Sequence, residues 1–387
     1  MSFADSYSIM GNENLFENGI IPVPWRQHRL KGWPFRHPLP KMTAAECIGI
    51  FSITDWKYHD DARNASYLCD PIPKVPIDLN QGIENVIRRK PAIMNDLEYI
   101  LKYIESHQKD FLVRKGDTFQ LDADFIIWRG VLRKIMCMQY ERQEDLRIKA
   151  TRVNGTIYVY KEDTEQELAG EASLTAQQLD ICSWGYKFEQ CLTSNKPCGK
   201  PLTDVPVNEG AELNCMFRKN INGLRLIYGA EMDTIASSQP VNFQDPLIYK
   251  RLEFVELKTG PYNRSPHQEK TFQFFKTASW WSQSFLVGIK TIYAGMRDKN
   301  GVVQEIRQYD TRDLPNNKPW SPSAMLTFLE IFLRQLKTLM EAIDDPFAVV
   351  QVDFLAQEQC TYYKVLHGKE NQILPDWYRQ LLKDYFG

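Results

Sequence analysis

Three of the four Asn-Gly dipeptides constrain this chain more than any other feature. Asn154-Gly155, Asn222-Gly223 and Asn300-Gly301 each separate two apolar, β-branched or aromatic runs: LRIKATRV and TIYVYK, CMFRKNI and LRLIYGAEMDTIA, KTIYAGMRD and VVQEIRQY. Such a turn, flanked by strand-like segments, closes an antiparallel hairpin. Helix-period segments lie around the hairpins. One starts near Pro91, with Ile93, Leu97, Ile100, Leu101 and Ile104 on one face and the proline suited to the first turn. A second is expected over about 124–138, with Asp122 or Asp124 as its cap. Others follow over about 176–193, over QEKTFQFFKTASWWSQSFLVG, and from Ser321-Pro322 to about 343, and a terminal helix ends the chain. ECIGIFSIT and KRLEFVELK read as further strands. Helices interleaved with hairpins, with no internal repeat and no linker, predict an α+β fold: a single large domain of mixed or antiparallel sheets flanked by helices. The proline-scattered residues 1–45 read as an irregular arm, and 46–387 as one catalytic domain.

Composition narrows the class. The chain has 387 residues, 43% hydrophobic, with 12% aromatics including nine Trp, enough for a large core with some rings left over for stacking on bases. A formal charge of −2 gives no bulk positive field, so a nucleic-acid substrate would have to be held by local basic groups. The eight cysteines form no CxxC pairs and stand at no zinc spacing, which points to free thiols in a reducing compartment. The N-terminus lacks the pattern of a signal peptide, and no apolar run is long enough to span a bilayer. A cytoplasmic location is expected, with the nucleus as the alternative.

The chemistry lies in paired charges. Glu231 and Asp233 are two apart on a predicted strand and so share a face. Glu256 and Lys258, in FVELKTG, do the same on the next. If the strands neighbour each other, three carboxylates and one ammonium converge. Adjacent carboxylates repel, and oxygen ligands select a hard cation, Mg²⁺ or Mn²⁺. With 49 acids and 47 bases, either triplet alone is commonplace and usually marks a solvated strand face; the information is in their succession on apolar strands. Glu189, beside the apolar face of the 176–193 helix, is either a boundary residue or a fourth acid. Arg129, in FIIWRGVLRK, is either a buried ion-pair partner or a phosphate clamp. Gln283, one turn after Ser279, either caps a core edge or bonds a substrate phosphate or ribose.

The ordered set of WRG with Arg129, GYKFE with Glu189, GAEMD with Glu231 and Asp233, VELK with Glu256 and Lys258, KTASWWSQ with Gln283, and GMR with Arg297 resembles the DXO family of RNA decapping nucleases. The likeness spans roughly residues 90–300 and looks like a fungal-type, free-standing cytoplasmic member with no obligate protein partner. It implies a site of two divalent cations, Mg²⁺ or Mn²⁺, held by Glu189, Asp233, Glu256 and the main-chain carbonyl of Leu257, with Glu231 in support. It places Lys258 and Gln283 at the scissile phosphate, Trp128, Arg129 and Gly130 around the 5′-terminal nucleotide, and Cys215 along the substrate pocket. The implied activity is removal of incompletely methylated or NAD-type caps as whole units from the RNA 5′ end, leaving a 5′-monophosphate, with 5′→3′ exoribonuclease activity in mRNA 5′-end quality control. Two rivals use the same residues: a DNA nuclease of the acid-acid-x-lysine type, against which WRG and WWSQ speak, and a non-catalytic partner of a 5′→3′ exoribonuclease, against which the intact acids speak. A glycosidase using two of the acids is a distant third.

Overall fold

The computed structural model describes residues 17–25, 39–89, 97–115, 118–245, 247–343 and 345–386. Of the sequence expectations, Pro91 and Ile93 at the first helix start and much of the 1–45 arm fall outside these residues; the helix itself is described over Leu97–Ser106.

The described chain is α+β. A ten-stranded sheet has at its centre the strands Leu146–Val153, Thr156–Glu162, Phe125–Trp128, Leu224–Glu231, Ala211–Ile221 and Glu46–Thr54. Phe125–Trp128 runs parallel to both of its neighbours, whereas the hairpin strands pair antiparallel. A seven-stranded sheet is built on Phe254–Pro261, which is antiparallel to Thr234–Ile235 on one side and parallel to Thr291–Arg297 on the other. One buried core joins residues of both sheets to the helices Arg129–Met138, Thr277–Val287 and Pro322–Glu341. A second core lies under the helix Leu97–Ser106, on the other face of the large sheet, and a third under Ala176–Leu192 on the small sheet. Among the arm's described residues, Asn18–Ile20 adds an edge strand to the large sheet against Cys360–Leu366.

The first two Asn-Gly turns close as the sequence requires, with both residues at positive φ: 48° and 84° at Asn154 and Gly155, 50° and 94° at Asn222 and Gly223. The third is wider. Only Gly301 is left-handed, at 83°, and its amide donates to the Asp298 carbonyl, the three-residue form in which a type I turn ends in one αL position.

The helix expected over 124–138 is corrected. Phe125–Trp128 is a strand, and the helix starts only at Arg129. Phe125 and Ile127 enter one core and Ile126 the other, so this segment is buried on both faces between parallel neighbours. A short, uniformly apolar run reads equally as helix or strand, and here the sheet decides. Asp124 caps nothing; it is buried and bonded to Arg225 and Lys337. The helix read through QEKTFQFFKTASWWSQSFLVG starts with a capping box at Ser265 and passes through a π-helical stretch, Phe272–Lys276, before Thr277–Val287.

Candidate active site

The acids meet where the two sheets join. The chain leaves the large sheet at Glu231, the last residue of its strand, and enters the small sheet at Thr234. Asp233 therefore lies in the crossing, not on the Glu231 strand, and the shared-face expectation for this pair is replaced by a junction. Strand Thr234–Ile235 then pairs with Val255 and Phe254, which brings Asp233 beside the next acid. The Asp233 Oδ2 accepts the Leu257 amide at 2.7 Å, and its carbonyl accepts the Ser66 hydroxyl at 2.9 Å.

Glu256 and Lys258 share a face of Phe254–Pro261, as their spacing requires. Glu256 is fully buried. Its Oε1 accepts from the Lys258 ammonium and from the Gln283 amide, the latter at 2.5 Å. Lys258 Nζ also stands 3.9 Å from Asp233 Oδ2. Across the cluster, Arg129 Nη1 lies 3.6 Å from Glu256 Oε2, and both atoms are buried without a hydrogen-bond partner. Arg129 occupies the first helical position after the Phe125–Trp128 strand, which aims it from the large sheet at the small one.

Glu189 arrives on Ala176–Leu192, started by a capping box at Thr175. Its neighbour Phe188 is fully buried against strand Thr291–Arg297, where Gly295 permits the approach: a Cβ there would stand 2.5 Å from the Phe188 ring. Arg297 does not join the acids. Its guanidinium lies 4.4 Å over the Trp184 ring and fastens this helix to the strand.

The electrostatics follow from crowding. Burial, then Asp233 and Glu231, raises the Glu189 carboxyl well above its ordinary range. Burial, then Glu212, pushes Glu231 up to about 7, and burial, then Glu256, pushes Asp233 up to about 8. Glu256 goes the other way: burial opposes its charge, but Lys258 and Arg129 hold it below the ordinary value. Lys258 is raised by Glu256 and Asp233 against the effect of burial. Carboxylates that retain protons near neutrality, with one orphaned carboxylate oxygen among them, fit a hard divalent cation, and the donors are all oxygens. Among the described residues no three acids are already drawn into a coordination shell; Lys258 stands between Glu256 and Asp233.

Beside the acids opens a cavity of about 240 Å³, lined by Trp128, Arg129, Gly130, Asn214 and Glu231 among others. Trp128 Nε1 and Asn214 Oδ1 are buried without partners. Trp128, Arg129 and Gly130 line one cavity together, and Cys215 does not join them. It is fully buried on the other face of its strand, and Asn214, directly opposite Glu231, lines the cavity in its place. Asn214 could have been found by counting, because the Asn222-Gly223 turn pairs Ile221 with Leu224 and, seven steps back, Asn214 with Glu231. The sequence reading also passed over Arg89 and Glu212, which pair at 2.9 Å on the cavity wall.

Fold and site together define a class, a hydrolase of phosphodiester linkages whose acids converge on an acid-x-lysine strand. The chain belongs to the RAI1-like PD-(D/E)XK nuclease family, whose profile matches residues 43–379. Glu256-Leu257-Lys258 has the form (D/E)XK, with Asp233 upstream of it and preceded by Met232 where the signature's name has proline. The sequence is similar to the decapping and exoribonuclease protein Rai1 of Drosophila melanogaster, 50% identical over 94% of this chain and 98% of that protein. It is also similar to the decapping and exoribonuclease protein of Homo sapiens, 28% identical over 80% of this chain and 78% of that one. In fold it is similar to Candida albicans Rai1 in complex with pU5-Mn²⁺, with a TM-score of 0.71 at 20% identity over 90% of this chain and 97% of that one.

Proposed function

We propose that this protein is a divalent-metal-dependent nuclease of the RNA 5′ end. It removes incompletely methylated or NAD-type caps as whole units, leaves a 5′-monophosphate, and degrades the exposed RNA 5′→3′ as part of mRNA 5′-end quality control. One observation carries the reading: Glu189, Glu231, Asp233 and Glu256 converge around Lys258 and Gln283 at a sheet junction, with Glu256 Oε2 orphaned, next to a cavity walled by Trp128 and Arg129. The fly and human relatives, both decapping and exoribonuclease proteins, support the decapping and exonuclease steps. The Candida albicans complex supports RNA and a divalent cation as its occupants.

In this reading Glu189, Asp233, Glu256 and the Leu257 carbonyl hold two cations, Mg²⁺ or Mn²⁺, and Glu231 supports them. The bound cations supply Lewis-acid stabilisation of the phosphate and a nucleophile generated at neutral pH. Lys258 turns its ammonium from Glu256 to a non-bridging phosphate oxygen, where charge develops in the transition state. Gln283, already donating to Glu256, orients the same group. Arg129 clamps the 5′ phosphate, and Trp128 offers a ring to the first base. Asn214 turns its amide to that nucleotide. The protein acts in the cytoplasm, or alternatively in the nucleus, without an obligate partner.

The test is release of intact cap from RNA carrying a labelled unmethylated or dinucleotide cap, in Mg²⁺ or Mn²⁺, beside EDTA and a Glu231→Ala, Asp233→Ala double variant. Cap release that is lost in both controls is the expected result. Cleavage of matched DNA with no action on any RNA would overturn it.

A further inference from the structure

A second and larger cavity lies away from the acids. It spans about 920 Å³ and opens to the surface; Tyr249 and Phe285 are the partly exposed rings of its lining, with Phe217, Phe254 and Trp281 buried behind. That volume is within the range of sites that hold small organic ligands. Two buried polar groups in its lining have no conventional partner. Lys219 is 4% exposed and, among the described residues, makes no hydrogen bond or ion pair; its ammonium stands 5.1 Å from the Phe285 ring centroid. Thr311 is 5% exposed, and its hydroxyl is unbonded. Buried polar groups are ordinarily satisfied, and the contact of the Lys219 ammonium with the Phe285 ring returns only part of the desolvation cost that an anion would offset. The desolvation registers in the amine itself, whose pKa burial pulls down to about 8. At the mouth, Lys250, Lys290 and Arg312 outnumber the one acid of the lining, Glu46; Lys250 pairs with Glu46 and Lys290 with Glu253, both exposed, while Asp310 holds Arg312 through two hydrogen bonds. The two lysine pairs are weak and readily exchanged.

This chamber is not the catalytic cleft. On strand Ala211–Ile221, Asn214 lines the cleft and Lys219 lies five positions further along, about 16 Å away at the rise of a strand. Their side chains leave opposite faces of the sheet.

We propose that this cavity binds a nucleoside monophosphate, the base against the aromatic wall and the phosphate on Lys219 and Thr311. Ring faces accept any base without reading it. One ammonium and one hydroxyl suit a single phosphate, and the cationic mouth favours entry of an anion. The site is independent of the nuclease reading and stands or falls without it.

The experiment is calorimetric titration of adenosine monophosphate into the full chain in EDTA, with adenosine and inorganic phosphate as separate ligands. The expected result is a site for the nucleotide, at least tenfold tighter than either fragment, that persists in Arg129→Gln, where the cleft has lost its phosphate clamp. Lys219→Met weakens it at least tenfold and Thr311→Val about threefold, while Glu231→Gln in the cleft leaves it unchanged. Thermal melts show that each variant is folded; should Lys219→Met fail to fold, Thr311→Val and a Lys290→Glu variant at the mouth carry the comparison. Absence of nucleotide binding, an affinity indifferent to the chamber variants, or an affinity lost in Glu231→Gln overturns the proposal. Phosphate binding as tightly as the nucleotide also overturns it, since the aromatic wall would then contribute nothing.

Discussion

Asp233→Asn isolates the cost of crowding the acids. The substitution keeps the shape and leaves an oxygen to accept the Leu257 amide, so what it removes is the charge. In the metal-free protein, burial and Glu256 raise the Asp233 carboxyl from 3.8 to about 8. A raised folded-state pKa means that the fold binds a proton the unfolded chain has released. Wild-type stability is therefore fully present below about pH 4 and lost progressively as pH rises to about 8. At 1.36 kcal/mol per pH unit the ceiling is about 6 kcal/mol. The cluster shares its protons among several acids and opens on a wet cavity, so about 2–3 kcal/mol is the expected gain for the variant at pH 8. For a chain of this length that is about 2–4 °C in melting temperature. The assay is thermal unfolding of both proteins in EDTA from pH 5 to 8, repeated with Mn²⁺. Asp233→Asn should melt above wild type at pH 8, and the gap should narrow steadily toward pH 5. With Mn²⁺ the order should reverse, because only wild type gains from the cation, and the variant should be inactive. A variant less stable than wild type at pH 8 in EDTA would refute the reasoning, as would a wild-type stability flat across that range.

Three further outcomes follow from single contacts. Lys258→Met removes the ammonium bonded to Glu256 and lowers nuclease kcat by about 10²–10³-fold; a loss confined to KM would assign Lys258 to binding instead. Gly295→Ala drives a Cβ into the Phe188 ring and shifts the helix that carries Glu189, costing about 1–3 kcal/mol and at least tenfold in activity. Phe188→Leu added to it should restore part of both, and a Gly295→Ala enzyme of full activity would show that Glu189 does not depend on this packing. Burial works against the Glu167 charge, but the Thr164 amide, Lys134 and Lys161 hold its carboxyl at about 2. That depressed pKa contributes stability above pH 4.5 that is lost as pH falls toward 2. In urea melts Glu167→Gln should cost about 1–2 kcal/mol at pH 7 and nothing near pH 2.

What was legible in the sequence was periodic. Glu256 and Lys258 share a face because strand side chains alternate, and their strand runs unbroken through both. The Asn154-Gly155 and Asn222-Gly223 turns announced themselves for the same local reason. The misreadings all turn on partners distant in sequence. Phe125–Trp128 is a strand because Thr156–Glu162 and Leu224–Glu231 flank it, and nothing inside FIIW distinguishes that from a buried helix turn. Asp233 leaves its predicted strand because Thr234 pairs with Val255 in the other sheet. Gly229, where a bulge would have spoiled the count toward Glu231, stays in register and instead makes room for Trp128: a Cβ there would lie 2.7 Å from that ring. Cys215 was placed along the pocket by the resemblance, although the parity of its own hairpin already pointed to Asn214.

The position of the acids also bears on whether they serve only chemistry. Glu231 ends a strand of the large sheet, Glu256 sits inside the small one, Glu189 comes from a helix, and Asp233 lies in the crossing. Without a cation these four repel across the joint, and a scaffold that merely kept the fold would be more stable with neutral side chains of the same size. A cation that gathers them ties both sheets and the helix at one point. The joint should therefore open locally in EDTA and tighten on metal binding, most of all at the Leu257 amide bonded to Asp233 and at the Thr234–Ile235 pairing. Hydrogen exchange read on peptides spanning 230–258 measures this. Slower exchange there with Mn²⁺, and no change in Leu146–Val153 at the other side of the large sheet, is the expected pattern. Equal exchange with and without the cation would mean that the shared core alone holds the sheets together and that the acids serve only the reaction.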